Sequence, residues 1–342
     1  MTAASHTGGR WARRLLGLLI AVIILPPALF FLTRGVLAAA NTVLERRYPP
    51  PGRMIPVGDH RLHLFCQGSG TPTVVIEPGL GVDWVAWIPV VTDLARSGEV
   101  CVYDRAGYGW SEPGPFPRTA QQIAAELHEL LSRSEHSGPF VLVAHSFGGY
   151  VARVYAGQYG STLAGVVLAD PSEQDPADIP RVQPKPAASP WTVSGLIDRL
   201  PPLGWDRVKR LYRGDATLPA SLRALPPSIR SRAIIRSSLD QLAAEQSELD
   251  SRRPSQQQAT AAVIPPDVPF VVITPFYRLA PADGPSEPTP AAQRERQRAL
   301  AASAALGTQV FAEQSGHFVQ IDQPDLLLKV IRDVVSRAQG RR

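Results

Sequence analysis

The sequence predicts a single large α/β domain, a mostly parallel eight-stranded sheet flanked by helices. Three observations carry that reading. Short apolar runs with no polar alternation, at residues 140–144, 163–169 and 270–274, have the pattern of parallel strands covered on both faces. Segments with apolar residues at helical spacing separate the strands, and such alternation demands a parallel sheet with helices on both sides. With 342 residues, 44 % of them hydrophobic, the chain is long enough for one well-covered core.

Residues 1–14 are a basic N-terminal segment, and residues 15–39 read as a transmembrane anchor or a signal segment. An uncharged run of 18 residues, 15–32, follows Arg10, Arg13 and Arg14 and precedes Arg34, at the lower length limit for a membrane-spanning helix. Pro26-Pro27 would kink it, which membrane helices tolerate. Ala38-Ala39-Ala40 offers a cleavage site if the run is a removable signal. The expectation is an uncleaved anchor with the catalytic part outside the cytoplasm; a secreted, cleaved form is the alternative. Residues 40–52 are a linker stiffened by Pro49, Pro50 and Pro51.

The core occupies residues 53–170 and 267–337. Strands are expected at 54–57 and 61–66, joined as a hairpin by Gly58-Asp59, then at 73–79 and 100–103 with a helix at 88–96 between them. A helix at 121–132 carries Ile123, Leu127, Leu130 and Leu131 on one face. After the strand at 140–144 the period turns helical, with Val151, Val154 and Tyr155 in register, so Ser146 falls on a sharp strand-to-helix turn. Ala144 and Gly148 supply the small neighbours such a turn requires. The strand at 163–169 ends in Asp170-Pro171, and through 171–266 the alternation stops; helical patterns appear there at 191–212 and 228–250. A strand at 270–274, a helix at 294–305 and a strand at 309–311 follow. Asp322 is expected to cap a last helix that opens with Pro324.

Charge and composition exclude several classes. The net charge of +5 comes from arginines spread along the chain with no basic run longer than three, which argues against a nucleic-acid partner. Two cysteines, Cys66 and Cys101, rule out a disulfide scaffold and a Cys-rich zinc site. No thiamine, flavin, nicotinamide or metal motif is present, and no cofactor is expected.

Residues 144–148 read Ala-His-Ser-Phe-Gly, residues 104–111 read Asp-Arg-Ala-Gly-Tyr-Gly-Trp-Ser, and Gly316-His317-Phe318 follows the last strand. Together these resemble the α/β-hydrolase family, with its G-x-S-x-G nucleophile elbow and D-x-x-G-x-G-x-S motif, alanine here replacing the first glycine. The resemblance covers residues 53–337. It implies a serine hydrolase that cleaves an ester or related acyl bond of a small molecule, with 171–266 forming a helical cap over the site. An amidase, peptidase or cofactor-free haloperoxidase of the same fold is the alternative, as is a catalytically silent ligand-binding member. Epoxide hydrolases and haloalkane dehalogenases are set apart by their aspartate nucleophile.

Serine is a poor nucleophile at neutral pH and needs a base, itself oriented by an anion. With Ser146 as nucleophile, His317 is the one of seven histidines that stands where the family has its base. Asp170 lies at the C-terminal end of the sixth strand, the edge where parallel sheets assemble their sites. The family's usual acid position follows the seventh strand, where the first carboxylate is Asp283; Asp170 is preferred and Asp283 is the alternative. The resemblance assigns the oxyanion donors to the amides of Phe147 and Leu80, with Gly79 allowing close approach. Trp84 and Trp87 are candidates to line the acyl pocket, with a core role equally open. Asp104 is read as holding its turn through backbone N–H groups. In the family's sheet order Cys66 and Cys101 lie on neighbouring strands; a bridge requires Cα atoms within about 7 Å, and two buried free thiols are the favoured expectation.

Overall fold

The computed structural model describes residues 49–82, 84–136, 138–173, 239–276 and 290–340, with residues 17, 19, 23–25, 27–28 and 31–32 near the N-terminus. The helical patterns expected at 191–212 and at the start of 228–250, and Asp283, lie outside the described residues. The chain divides into two compact units, Met1–Pro49 with Ala187–Gly204, and Pro50–Pro186 with Trp205–Arg342. Every strand and helix labelled below belongs to the second.

Eight strands form one sheet in the order β1-β2-β4-β3-β5-β6-β7-β8. They are β1 (Arg53–Val57), β2 (His60–Gln67), β3 (Thr73–Glu77), β4 (Val100–Tyr103), β5 (Phe140–His145), β6 (Leu163–Ala169), β7 (Phe270–Pro275) and β8 (Gly307–Ala312). The sheet is mixed, because β2 runs antiparallel to both β1 and β4 while every other neighbouring pair is parallel. Gly58, at φ 55°, supplies the left-handed residue that lets two residues close the β1–β2 hairpin.

Among the described residues of this unit, the α-helices are α1 (Ile88–Leu94), α2 (Ala120–Arg133), α3 (Gly148–Tyr159), α4 (Leu239–Asp250), α5 (Arg252–Ala261), α6 (Pro290–Ala302), α7 (Val319–Asp322) and α8 (Pro324–Gln339). Thr119 starts α2 by accepting the Gln122 N–H on its hydroxyl at 3.2 Å. Alternation along each strand sends side chains to two cores. Val75 packs with α2 and α3 residues such as Leu127 and Tyr155, whereas Val74 and Ile76 pack on the other face with Val91, Leu327 and Ile331.

Two expectations are corrected. Asp322 is not the cap of the last helix: it ends the short α7, Gln323 takes the cap position of α8, and the Asp322 carboxylate reaches back to the Gly316 N–H at 2.9 Å. Cys66 and Cys101 are not free thiols. The antiparallel register sets them directly opposite, with Cα atoms 4.1 Å apart, and they form a disulfide. Within 15–39 only scattered positions are described; they are helical, with Leu19, Ile23, Leu25 and Phe31 exposed. Among the described residues no helix is long and apolar enough to cross a membrane.

Candidate active site

β5 delivers the chain to Ser146, which adopts φ 53°, a left-handed conformation that L residues hold only when their surroundings impose it. The surroundings do so on both sides. Ser146 N–H donates to the Ala169 carbonyl at 3.2 Å and its own carbonyl accepts from Ser172 N–H at 3.1 Å. Gly148 then opens α3 so close to the end of β3 that a Cβ there would lie 2.6 Å from the Pro78 carbonyl and 2.8 Å from that of Glu77.

The loop after β8 carries His317 to the same edge of the sheet. Its Nδ1 lies 2.6 Å from Asp170 Oδ2. Asp170 is 1 % exposed and the His317 side chain 39 %, so the acid is sealed while the ring stays open to a substrate. The other oxygen, Asp170 Oδ1, accepts from the side-chain amides of Gln293 at 2.9 Å and Gln297 at 2.7 Å, and Gln297 also donates to the Pro171 carbonyl at 3.1 Å. Asp170 itself sits at φ 43° beyond β6, with its N–H on the Ile273 carbonyl at 2.9 Å. The fold brings Asp170 to His317; Asp283 lies outside the described residues.

His145, the residue before the serine, is buried, and its Nε2 lies 2.8 Å from the His317 carbonyl. Burial above all, and then the nearby His317, hold its pKa down to about 4, so the ring is neutral at pH 7. A neutral ring bonded to a carbonyl must carry its proton on Nε2. The base loop therefore hangs from the residue next to the nucleophile.

Residues 78–81 run past this turn. A Cβ on Gly79 would stand 2.6 Å from His145 Nδ1 and 3.3 Å from Ser146 Cβ, so only glycine allows the approach. Among the described residues neither the Leu80 nor the Phe147 amide has a hydrogen-bond acceptor. Behind the loop lies a buried ionic cluster. Arg105 Nη1 donates to Glu77 Oε1 and the Pro78 carbonyl, both at 3.0 Å. Its Nη2 donates to the Gly79 carbonyl at 2.6 Å and to Glu248 Oε2 on α4 at 3.0 Å. Tyr108 donates to the same Glu248 oxygen at 2.9 Å and accepts the Gly81 N–H at 3.3 Å, while Tyr103 donates to Glu77. Burial pushes the Glu77 carboxyl up to about 7 against the pull of Arg105, and raises Glu248 as well.

Trp84 and Trp87 do not line an open pocket. Both are fully buried: Trp84 packs against Phe65 and Trp110 at 4.7 and 5.6 Å between ring centres, and Trp87 lies 6.3 Å from His145. The cause is Asp104, whose carboxylate takes the Trp84 N–H at 3.1 Å, the Trp110 N–H at 3.0 Å and His63 Nδ1 at 2.9 Å, drawing the loop inward. The structural reading of Asp104 matches that arrangement. The one converging set of metal-ligand atoms among the described residues, on Cys66, Cys101 and His136, has both sulfurs in the disulfide.

Sequence reasoning passed over His145, Arg105, Glu248, Gln293 and Gln297. Only His145, beside the serine in the elbow motif, and Arg105, inside the second motif, carried a signal that could have singled them out.

A serine on a strained turn after the fifth strand, with a histidine–carboxylate pair from the ends of β6 and β8, places the fold among the hydrolases. The chain belongs to the alpha/beta hydrolase family, whose match extends over residues 74–330. It is 34 % identical over 109 residues to uncharacterized protein YqjL of Bacillus subtilis (strain 168), covering 32 % of this chain and 43 % of that protein. The chain spans less than half the length of the first curated relatives it matches. Among solved structures, a thermophilic esterase from Thermogutta terrifontis aligns with a TM-score of 0.57 at 23 % identity, covering 84 % of this chain and 98 % of that one. A membrane phospholipase A described as a bacterial virulence factor aligns at 0.56 and 18 % identity, covering 96 % and 99 %. At such identities the likeness is one of fold.

Proposed function

We propose that the protein is a serine hydrolase that cleaves carboxylic esters through an acyl-enzyme on Ser146. The observation that carries this is the 2.6 Å contact between His317 Nδ1 and the sealed Asp170, beside a serine held at positive φ. The carboxylate fixes the proton on Nδ1 and leaves Nε2 as the basic nitrogen. His317 takes the Ser146 proton as the oxygen attacks the ester carbonyl, then returns it to the departing alkoxide; water repeats the sequence to release the acid. The Leu80 and Phe147 amides, without acceptors among the described residues, would take the charge that develops on the carbonyl oxygen. A fluorophosphonate probe tests the reading: it should label the wild type and not Ser146→Ala, which should also lose on the order of 10⁴-fold or more in kcat on a p-nitrophenyl ester. An unlabelled wild type would support a silent ligand-binding member instead.

The uncharged run at 15–32 and the exposed apolar side chains within it support a membrane tether. The Cys66–Cys101 bridge supports placing the catalytic unit in an oxidising compartment. Carbonate extraction of native membranes should leave the full chain in the pellet; release into the supernatant would count against the tether.

A further inference from the structure

Arg105 lies one residue beyond Asp104 and is fully buried. What it touches is the loop that carries Leu80. The Gly79 carbonyl and the Leu80 N–H belong to one planar trans peptide, so they point in opposite directions. Pinning the carbonyl from behind at 2.6 Å therefore aims the N–H forward. Forward is the site, since Gly79 stands within van der Waals reach of His145 and Ser146. The peptide bond ahead of Gly79 is pinned as well, through the Pro78 carbonyl, and the one after Leu80 through Gly81 N–H and Tyr108. The guanidinium also lies over the ring of Phe147, at 5.6 Å. The remaining arm of the fork goes to Glu248 on α4, which follows β6 in sequence and precedes β7.

We propose that Arg105 is the positioning residue of the oxyanion site, and that Glu248 completes its fork, so that the Leu80 amide is aimed only while α4 is seated against the loop. This rests on the acyl-transfer reading and adds to it a coupling between the segment after β6 and transition-state stabilisation. A guanidinium can serve two carbonyls and two carboxylates in one plane; an ammonium, with three donors and no fork, cannot.

The test compares Arg105→Lys, Glu248→Gln and Glu248→Leu with the wild type on a p-nitrophenyl ester, after circular dichroism and melting curves establish folding. Arg105→Lys keeps the charge and should lose about 100-fold in kcat, the scale of one lost oxyanion donor, with KM changed no more than about twofold. Its Ki for an alkyl boronic acid, which forms a tetrahedral adduct on the serine, should weaken in parallel, while affinity for the product carboxylate stays put. Glu248→Gln keeps an acceptor for Nη2 and should stay within about threefold of wild type, whereas Glu248→Leu removes it and should lose about tenfold or more in kcat. Wild-type kcat in Arg105→Lys, or equal losses in the two Glu248 variants, would overturn the proposal. If Arg105→Lys does not fold, the Glu248 pair decides. A wild type inert to fluorophosphonate removes the acyl-transfer reading and this one with it; a labelled wild type with an unaffected Arg105→Lys removes this one alone.

Discussion

Asp170→Asn should abolish most activity for a reason that lies behind the acid rather than in front of it. The asparagine amide has one acceptor and one donor end where the carboxylate had two acceptors. Facing its rear oxygen are two side-chain amides, those of Gln293 and Gln297, both donating. If the new oxygen turns to them, the NH2 group faces His317 Nδ1. The ring proton must then sit on Nε2, and the base can no longer accept from Ser146. If the amide flips to restore the correct tautomer, its NH2 confronts both glutamine donors. Gln297 cannot rotate to relieve this without setting its oxygen against the Pro171 carbonyl, to which it also donates. Two donors left unmet, Gln297 buried and Gln293 half-buried, cost at most about 1–3 kcal/mol each, so the competent arrangement is disfavoured by up to about 2–6 kcal/mol, a factor of roughly 30 to 10⁴. The expected loss in kcat/KM on a p-nitrophenyl ester is of that size, with an unchanged melting curve. Replacing both glutamines by leucine in the Asp170→Asn background should recover some of it, because the bias between the two orientations is gone. Asp283→Asn should leave the rate within about twofold of wild type. A loss under tenfold in Asp170→Asn, or a large one in Asp283→Asn, would refute the reasoning.

Two further outcomes concern stability. Glu77 holds its proton in the fold up to a pKa of about 7, against 4.5 in the unfolded chain; between those values the fold binds the extra proton, so stability falls as pH rises through the window and is level above it. His145, lowered to about 4 from 6.5, acts in the opposite sense, costing stability as pH falls through its own window. The two nearly cancel in the wild type, and Glu77→Gln, whose amide the Tyr103 hydroxyl can turn to accept, should uncover the second: its melting temperature should climb from pH 5 to 7 more steeply than that of the wild type. Parallel curves would sink this account. Opening the Cys66–Cys101 bridge, which spans 35 residues, should cost about 3–4 kcal/mol by loop entropy. Under dithiothreitol, or in Cys66→Ala/Cys101→Ala, the melting temperature should drop by about 5–10 °C. Unreduced protein should take up no thiol-blocking reagent; two blocked cysteines would remove the bridge.

The sequence was most legible where one segment alone decides the outcome. Unbroken apolar runs located β5, β6 and β7 to within about a residue because both faces of a parallel strand are buried, so nothing in the pattern competes. The serine turn was equally local: a change of period and two small neighbours suffice. His317 and Asp170 were singled out by where the resembling family carries its base and acid relative to the strands, together with the position of Asp170 at the C-terminal edge of the sheet. What stayed hidden depends on pairs far apart in the chain. Arg105 and Glu248 are 143 residues apart, and Asp170 meets Gln297 across 127; no spacing rule links them. Trp84 and Trp87 were ambiguous because a large aromatic suits a pocket wall and a core equally, and the choice was made by three donors converging on Asp104. The cysteines turned on strand direction, since only an antiparallel register set them face to face.

That same register has a mechanical side. The chain enters the catalytic unit at β1, so any tension on the N-terminal segment is applied at Arg53, at the open end of a hairpin. Antiparallel pairs loaded this way unzip rung by rung, from Arg53 and Leu64 towards the turn at Gly58. Once β1 has gone, the pull passes to β2, and there the peeling meets a covalent stop: Cys66 is bound to Cys101 two residues beyond the first rung of β2 with β4, at Leu64 and Tyr103. Tension then spreads into a strand bonded along both its edges, and the hairpin is sacrificed before β4 moves. Asp104 and Arg105 follow directly from β4, so a molecule tugged at its N-terminal segment can fray at its margin and still keep the loop that faces the serine in place.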